Sequence, residues 1–205
     1  MANAETASGS IRDVVKHMRV VEEPPSDIRR ERLARAQEWM RSAQVPVETI
    51  RSFSSFESRA VCSVASQWAA EHVARRRTRR EVGRLILCLA GPSGVGKSVA
   101  AALIVGRCGY AIWLHAHDMQ ALNPVDRDRW ADVSRCPLLV IDDLGVERMT
   151  DNVGSVLDAL ITRRFDAGKG TVITTNLRAD QIRARYGDRI ARRIEDCGGA
   201  YEVTP

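Results

Sequence analysis

No stretch of this 205-residue chain approaches the roughly 18 consecutive apolar residues of a membrane-spanning helix. The N-terminus, MANAETASGS, lacks a basic start followed by an apolar core, which argues against a secretory signal. A cytoplasmic protein with no membrane partner is the expectation. Cysteine is sparse: five stand at 62, 88, 108, 136 and 197, odd in number and none close to another. That argues against a disulfide framework and against the paired spacing of a zinc site. Cys88 and Cys136 lie in or beside apolar runs, where cysteine behaves as a small hydrophobe. His115 and His117 form an H-x-H with no carboxylate or cysteine partner in view, so the pair is a weak metal signal. Lysine is nearly absent, with only Lys16, Lys97 and Lys169, so almost all positive charge is arginine. Arginine favours planar contacts to phosphate, although it also simply solvates surfaces.

What is present suits a folded protein. The chain is 44% hydrophobic and 28% charged, an ordinary balance that argues against global disorder. Its length fits one domain with an appendage. The net charge of +5 is unevenly placed: residues 1–84 hold 16 Lys and Arg against 11 Asp and Glu, and residues 85–205 hold 15 against 15. The excess therefore belongs to the N-terminal part.

Three regions follow. Residues 1–25 read as a flexible arm with one short helix around Ile11–Val21. Residues 26–83 read as a helical region able to contact a partner or DNA. Its first helix runs from Ser26 to Ala43, with Ile28, Leu33, Ala36, Met40 and Ala43 on one face and Pro46 closing it. A second runs from about Ser55 to Arg77. From Arg84 to Pro205, short apolar runs alternate with helices: strands at Leu85–Ala90, Ala111–Ala116, Leu138–Ile141, Thr171–Thr175 and near Ala200–Val203. Apolar runs bounded by helices predict a parallel sheet covered on both faces, an α/β sandwich.

The strongest chemical signal is Gly91-Pro92-Ser93-Gly94-Val95-Gly96-Lys97-Ser98, which fits G-x-x-x-x-G-K-[ST] between a strand and a helix. Glycines let backbone N–H groups turn inward onto phosphate oxygens, and the helix N-terminus adds its partial positive charge. Lys97 would reach the β- and γ-phosphates, and Ser98 would place its hydroxyl on Mg²⁺. The second signal is Leu138-Leu-Val-Ile-Asp142-Asp143-Leu-Gly145. Ligands of open α/β sheets bind at the carboxyl ends of strands. Asp142 is the candidate Mg²⁺ ligand, and Asp143 the group that orients and deprotonates the attacking water. The third is Thr171-Val-Ile-Thr-Thr-Asn176, whose terminal amide could hold that water. The fourth is Tyr186-Gly-Asp-Arg-Ile-Ala-Arg-Arg-Ile194, whose arginines face solvent, DNA phosphates or a neighbour's nucleotide.

The segments GPSGVGKS, LLVIDDLG, ALITRRFDAGKGTVITTNL and YGDRIARRI follow one another within about 105 residues. In that order they resemble the AAA+ ATPases. More narrowly, the chain is similar to the DnaC-type bacterial helicase loaders and the IstB-type transposition ATPases. The resemblance covers roughly residues 45–203, including Val45–Phe56 before the core. It implies a P-loop NTPase of AAA+ type, a three-layer sandwich with a five-stranded parallel sheet. It implies bound ATP or ADP with Mg²⁺, held by Gly91 to Ser98 and Asp142. It makes Asp143 the base, Asn176 the first sensor and Arg193 the finger arginine acting on a neighbouring subunit's ATP, with Arg189 the runner-up. Self-association in a ring or spiral follows from such a finger. Asp143 stands where many AAA+ proteins carry Glu. The chain stops at Pro205, where the resemblance leads one to expect a second sensor arginine, so 84–205 reads as a core lacking a C-terminal lid.

The function this implies is helicase loading in DNA replication, with a replicative helicase hexamer as partner and single-stranded DNA as a possible contact. The alternatives are a transposition helper that binds DNA and a transposase, and a nucleotide-binding adaptor with negligible hydrolysis. In the N-terminal region two readings stay open. Leu33, Trp39 and Met40 either anchor a partner or pack on the chain's own core. Arg75-Arg-Arg-Thr-Arg-Arg80 is either a solvated helix end or a phosphate contact. Trp113 and Trp130 could stack on bases, although Trp113 suits a core strand better.

Overall fold

A computed structural model describes residues 26–56, 60–78, 85–122, 127–197 and 200–202. The arm at 1–25, its helix at 11–21 and the end of the basic run at Arg79 and Arg80 lie outside these residues. Three N-terminal helices, α1 (Ser26–Ser42), α2 (Val47–Phe56) and α3 (Ala60–Thr78), precede the sheet. Then come β1 (Ile86–Ala90), α4 (Lys97–Cys108), β2 (Ile112–His115), a 3₁₀ turn at Ala116–Ala121 and α5 (Arg127–Arg135). The chain continues with β3 (Leu138–Leu144), α6 (Asp151–Asp166), β4 (Gly170–Thr175), α7 (Ala179–Tyr186), α8 (Asp188–Cys197) and β5 (Ala200–Glu202). All five strands pair in parallel, in the order β2-β3-β4-β1-β5. Among the described residues no helix is long and apolar enough to cross a membrane.

Each strand is apolar on both sides because each face of the sheet is covered. Leu87, Leu89, Trp113, Leu138, Val140 and Val172 point to one face, where α1 to α4 share a single apolar cluster with them. Ile86, Cys88, Leu114, Leu139, Ile141 and Ile173 point to the other, against α5 to α8. The strand period of two sorts these residues, so a one-residue slip would exchange the faces. Trp113 is a core residue, and Trp130 is partly buried against the second cluster.

The N-terminal helices are part of the core. Met40, Ala43, Val61, Ala65 and Trp68 are buried with α4, and the carbonyl of Ala43 accepts from Trp113 N at 3.1 Å. That bond occupies the edge of β2. Of the residues that could anchor a partner, Met40 is buried whereas Leu33 and Trp39 are exposed. The expected break between Pro46 and Ser55 is corrected: the segment forms α2. α1 ends at Ser42, before Pro46 is reached, and Gln44 beyond it is left-handed (φ +64°), with Val45 N donating back to the carbonyl of Met40 at 2.9 Å. Pro46 opens α2, its carbonyl taking the first helical bond from Ile50 N at 3.1 Å.

The lower end of the sheet is tied by Arg164, which is 0% exposed. Its guanidinium donates to the carbonyls of Val133 (2.6 Å), Cys136 (3.1 Å) and Gly170 (2.6 Å), to Cys136 Sγ (3.2 Å) and to Thr171 Oγ1 (3.1 Å). The clamp joins α6 to the start of β4 and to the α5–β3 turn. Arg164→Met is expected to leave these acceptors dry and unpaired, costing at least about 3 kcal/mol. Urea unfolding at pH 7 measures the loss.

His72 of α3 is buried beneath the same end, its ring stacked on Trp68 at 5.0 Å. Gly170 leaves room for it: a Cβ there would meet His72 Cε1 at 2.4 Å. Burial, reinforced by Arg75, Arg76 and Arg164, lowers the imidazole from 6.5 to about 4. The unfolded chain therefore binds this proton more readily than the folded one. Its stabilising contribution is complete above pH 6.5 and is lost as pH falls through about 4, in all about 3 kcal/mol. Denaturant melts between pH 7 and 4 are expected to show this acid slope, and His72→Phe should flatten it.

Candidate functional site

Parallel strands end together, so the register brings four chemical groups to one edge. Ala90, which leads into the loop, pairs with Thr175 just before Asn176, and His115 pairs with Asp142. Gly91 N donates to the carbonyl of Thr175 at 3.1 Å, fastening the loop to β4. The loop itself uses glycine with positive φ at three points, the first being Gly91 (φ +149°). Gly94 (φ +83°) and Gly96 (φ +96°) both lie in the left-handed region, Gly96 serving as the cap before α4. Val95 is buried in the core between them, while Pro92, Ser93 and Gly94 are exposed.

Lys97 is buried, and its three ammonium protons have three acceptors at 2.8 Å: the carbonyls of Gly91 and Pro92 and Oδ1 of Asn176. Burial lowers its pKa, opposed by Asp143 and Asp142. Ser98 Oγ donates to Asp142 Oδ1 at 2.9 Å, and Thr174 Oγ1 donates to the same oxygen at 2.6 Å. Burial raises the Asp142 carboxyl, with Asp143 adding to it; the bonds from Thr174 and Ser98, and His115, pull it back down. His115 Nδ1 stands 3.7 Å from Asp142 Oδ2.

Between Ile141 and Leu144 the register of β3 on β4 shifts. Asp143 takes φ +58° there, a conformation that Asp tolerates better than most residues. Its N–H donates to Thr174 Oγ1 at 2.8 Å. The bulge therefore presents two successive carboxylates at one strand end, Asp142 buried and Asp143 half-buried.

The sequence-predicted residues thus form two directly bonded pairs, Lys97 with Asn176 and Ser98 with Asp142, and Asp143 and Asp142 act on Lys97 through their charge. Asn176 rests on Lys97 in this state. Arg193 is held elsewhere: its guanidinium lies over the Phe165 ring at 5.7 Å, with Nη1 buried and unpartnered among the described residues. Arg189 pairs with Asp158 at 3.2 Å. Among the described residues no group of three or more His, Cys, Asp or Glu is placed to hold a metal ion, and the rings of His115 and His117 stack on each other at 5.3 Å. His117 pairs with Asp118 at 3.3 Å.

Sequence reasoning missed Thr174 and Glu147. Thr174 is one β-branched residue in a buried strand, and nothing in the run marks its hydroxyl as the partner of Asp142. Glu147 is buried and accepts from Gly145 N at 2.8 Å, from Arg185 Nε at 3.1 Å and from the Tyr186 hydroxyl. Arg185 also donates to its carbonyl. The tyrosine of the Y-G-D-R segment, quoted above for its arginines, was the available signal.

An ammonium poised on exchangeable acceptors, amides at a helix N-terminus and a hydroxyl–carboxylate pair form a site for a nucleoside triphosphate. A sequence profile described as "IstB-like ATP binding protein" matches residues 1–194. The chain belongs to that family of ATP-binding proteins. No curated protein matches the sequence. Among solved structures the chain is similar to DnaI, at 21% identity and a TM-score of 0.53 over 67% of this chain and 80% of that one. It is also similar to the DnaC helicase loader, at 21% and 0.53 over 66% and 87%. Domain III of the Thermotoga maritima replication initiation protein DnaA matches at 20% and 0.60 over 75% and 66%. These neighbours show a shared fold, that of P-loop AAA+ domains, and the expected fold class stands.

Thr174→Val keeps the shape of β4 and removes one hydroxyl. It should leave Asp143 N without an acceptor and take one hydrogen bond from Asp142. The expected result is a folded protein, destabilised by about 1–3 kcal/mol, that binds ATP more weakly in the presence of magnesium. Calorimetric titration beside a thermal melt separates the two effects.

Proposed function

We propose that the chain is an ATP-hydrolysing switch that works as an assembly on DNA. The observation that carries this reading is the double tie across the sheet edge, Lys97 to Asn176, and Ser98 and Thr174 both to Asp142. A triphosphate offers Lys97 stronger acceptors than the carbonyls of Gly91 and Pro92, so the ammonium exchanges onto phosphate while the loop amides close on it. The hydroxyl of Ser98 and the carboxylate of Asp142 are hard oxygen donors suited to Mg²⁺, which supplies neutralisation of phosphate charge when bound. Release of Asn176 from Lys97 frees its amide to orient the attacking water. Asp143 takes that water's proton as the bond to the leaving ADP breaks. Arg193 leaves Phe165 and completes the site of the adjacent subunit.

The partner has two readings. The loader reading, with a replicative helicase hexamer and single-stranded DNA, is supported by the DnaC and DnaI likeness of the fold. The transposition-helper reading, with a transposase and DNA, is supported by the family match, which begins at residue 1 and so includes the N-terminal helices.

Phosphate release with magnesium and ATP tests the switch. Lys97→Ala should abolish binding. Asp143→Ala should bind ATP but turn over at least ~10²-fold more slowly. Arg193→Ala should lose roughly 10³–10⁵ in rate. Mixing Arg193→Ala with Lys97→Ala should restore part of the activity, because mixed interfaces pair an intact loop with an intact finger. Absence of heat on adding ATP to the parent protein sinks the reading. Capture from host lysate with ATP and Asp143→Ala then identifies a helicase or a transposase.

A further inference from the structure

The edge of the sheet opposite the phosphate loop, where β2 and β3 begin, carries an aromatic and basic surface that the nucleotide site does not use. Trp39 is 37% exposed and Tyr110 is 56% exposed. They are neighbours: the Trp39 indole lies over Gly109, 3.7 Å from where a Cβ would stand, and Tyr110 follows. Tyr110 is also one wall of a groove of about 240 Å³ completed by Ala131, Asp132, Arg135, Cys136 and Pro137. That is smaller than the ~300–1,000 Å³ of a small-molecule pocket, and it suits one planar ring.

The charge around these rings is positive. On α1 the exposed arginines are Arg30, Arg32, Arg35 and Arg41, against the exposed glutamates Glu31 and Glu38. Arg32 and Arg35 share the helical stripe of Trp39. Arg107 ends α4 just before Gly109, and Arg135 lies in the groove against Asp132; both arginines are exposed. None of these arginines forms an ion pair with another described residue.

We propose that this edge binds single-stranded DNA, with bases stacked on Trp39 and Tyr110 and the phosphates carried by Arg35, Arg107 and Arg135. Base–aromatic stacking beside a basic track is the general chemistry of single-strand recognition. A duplex hides its bases within the stack and cannot offer them to these rings. A protein partner would place its own apolar side chains here, but it gives no reason for arginines gathered around both rings. The inference deepens the DNA contact of the proposed switch by giving it a location, and it stands without ATP.

The test is fluorescence anisotropy of labelled oligothymidylate at low salt, without nucleotide, so that a failed ATP reading leaves the outcome intact. The parent should bind the single strand more tightly than a blunt duplex of the same length. Tyr110→Ala and Trp39→Ala should each weaken binding roughly ten-fold. Arg135→Ala should make the salt dependence shallower by about 0.7 in the log–log slope. Val47→Ser, exposed and apolar but outside this edge, should bind as the parent does. Circular dichroism confirms that each variant is folded. Equal affinity in Tyr110→Ala and the parent, equal affinity for duplex, or no binding of the single strand overturns the proposal. An oligouridylate preferred to the DNA strand overturns it in favour of RNA.

Discussion

A lysine removed from water must find an acceptor for every ammonium proton, and that requirement governs the upper edge of the sheet. Lys97 has three donors and three acceptors at equal distance. Two acceptors belong to the loop and the third to the tip of β4, so one side chain holds the loop closed and fixes Asn176. Burial works against the charge of this cation, and the carboxylates of Asp143 and Asp142 oppose that effect. The loop is therefore held in place by Lys97 itself, and on the proposed reading a phosphate exchanges the acceptors of that lysine rather than ordering a loose segment. Preorganisation of this kind limits the conformational cost of capture.

A second buried cation holds the opposite edge. Arg164 is tied to three carbonyls, a thiol and a hydroxyl. Its planar fork suits fixed acceptors from several directions. The two cations differ in what surrounds them. Arg164 sits among turns closed by α5 and α6, whereas Asn176 beside Lys97 is exposed. One clamp is permanent architecture, and the other stands where a ligand can reach it. Arg164 also raises the cost of protonating His72 below it, so the fixed clamp contributes to acid sensitivity at that end.

The loop at 91–98 and the acid at 142 were legible in the sequence because phosphate binding fixes both residue type and spacing. The strands were legible because burial on two faces leaves uninterrupted apolar runs. Arg164 was hidden: in ALITRRFDAGKG it reads like Arg163, and only the packing of α6 shows which of the two is dry. Thr174 was hidden for a related reason, since a threonine in a buried strand is as well explained by β propensity as by its hydroxyl. Helix α2 was missed because Pro46 was read only as a terminator. The fate of Trp39 and Met40, adjacent in sequence and opposite in burial, depended on how α1 meets α4, which helical period narrows but does not decide.

Glu147 gives the fold a mechanical property. Its side chain is wholly buried, and Arg185 and Tyr186 of α7 supply the partners that make this tolerable. If the tip of β3 moved while α7 stayed, a carboxylate would be stranded without a counter-charge, a state that costs several kcal/mol. The cheaper displacement of that tip is one in which α7 keeps its contacts with Glu147. The buried carboxylate of Glu147 thus couples the segment that follows the acidic strand end to α7.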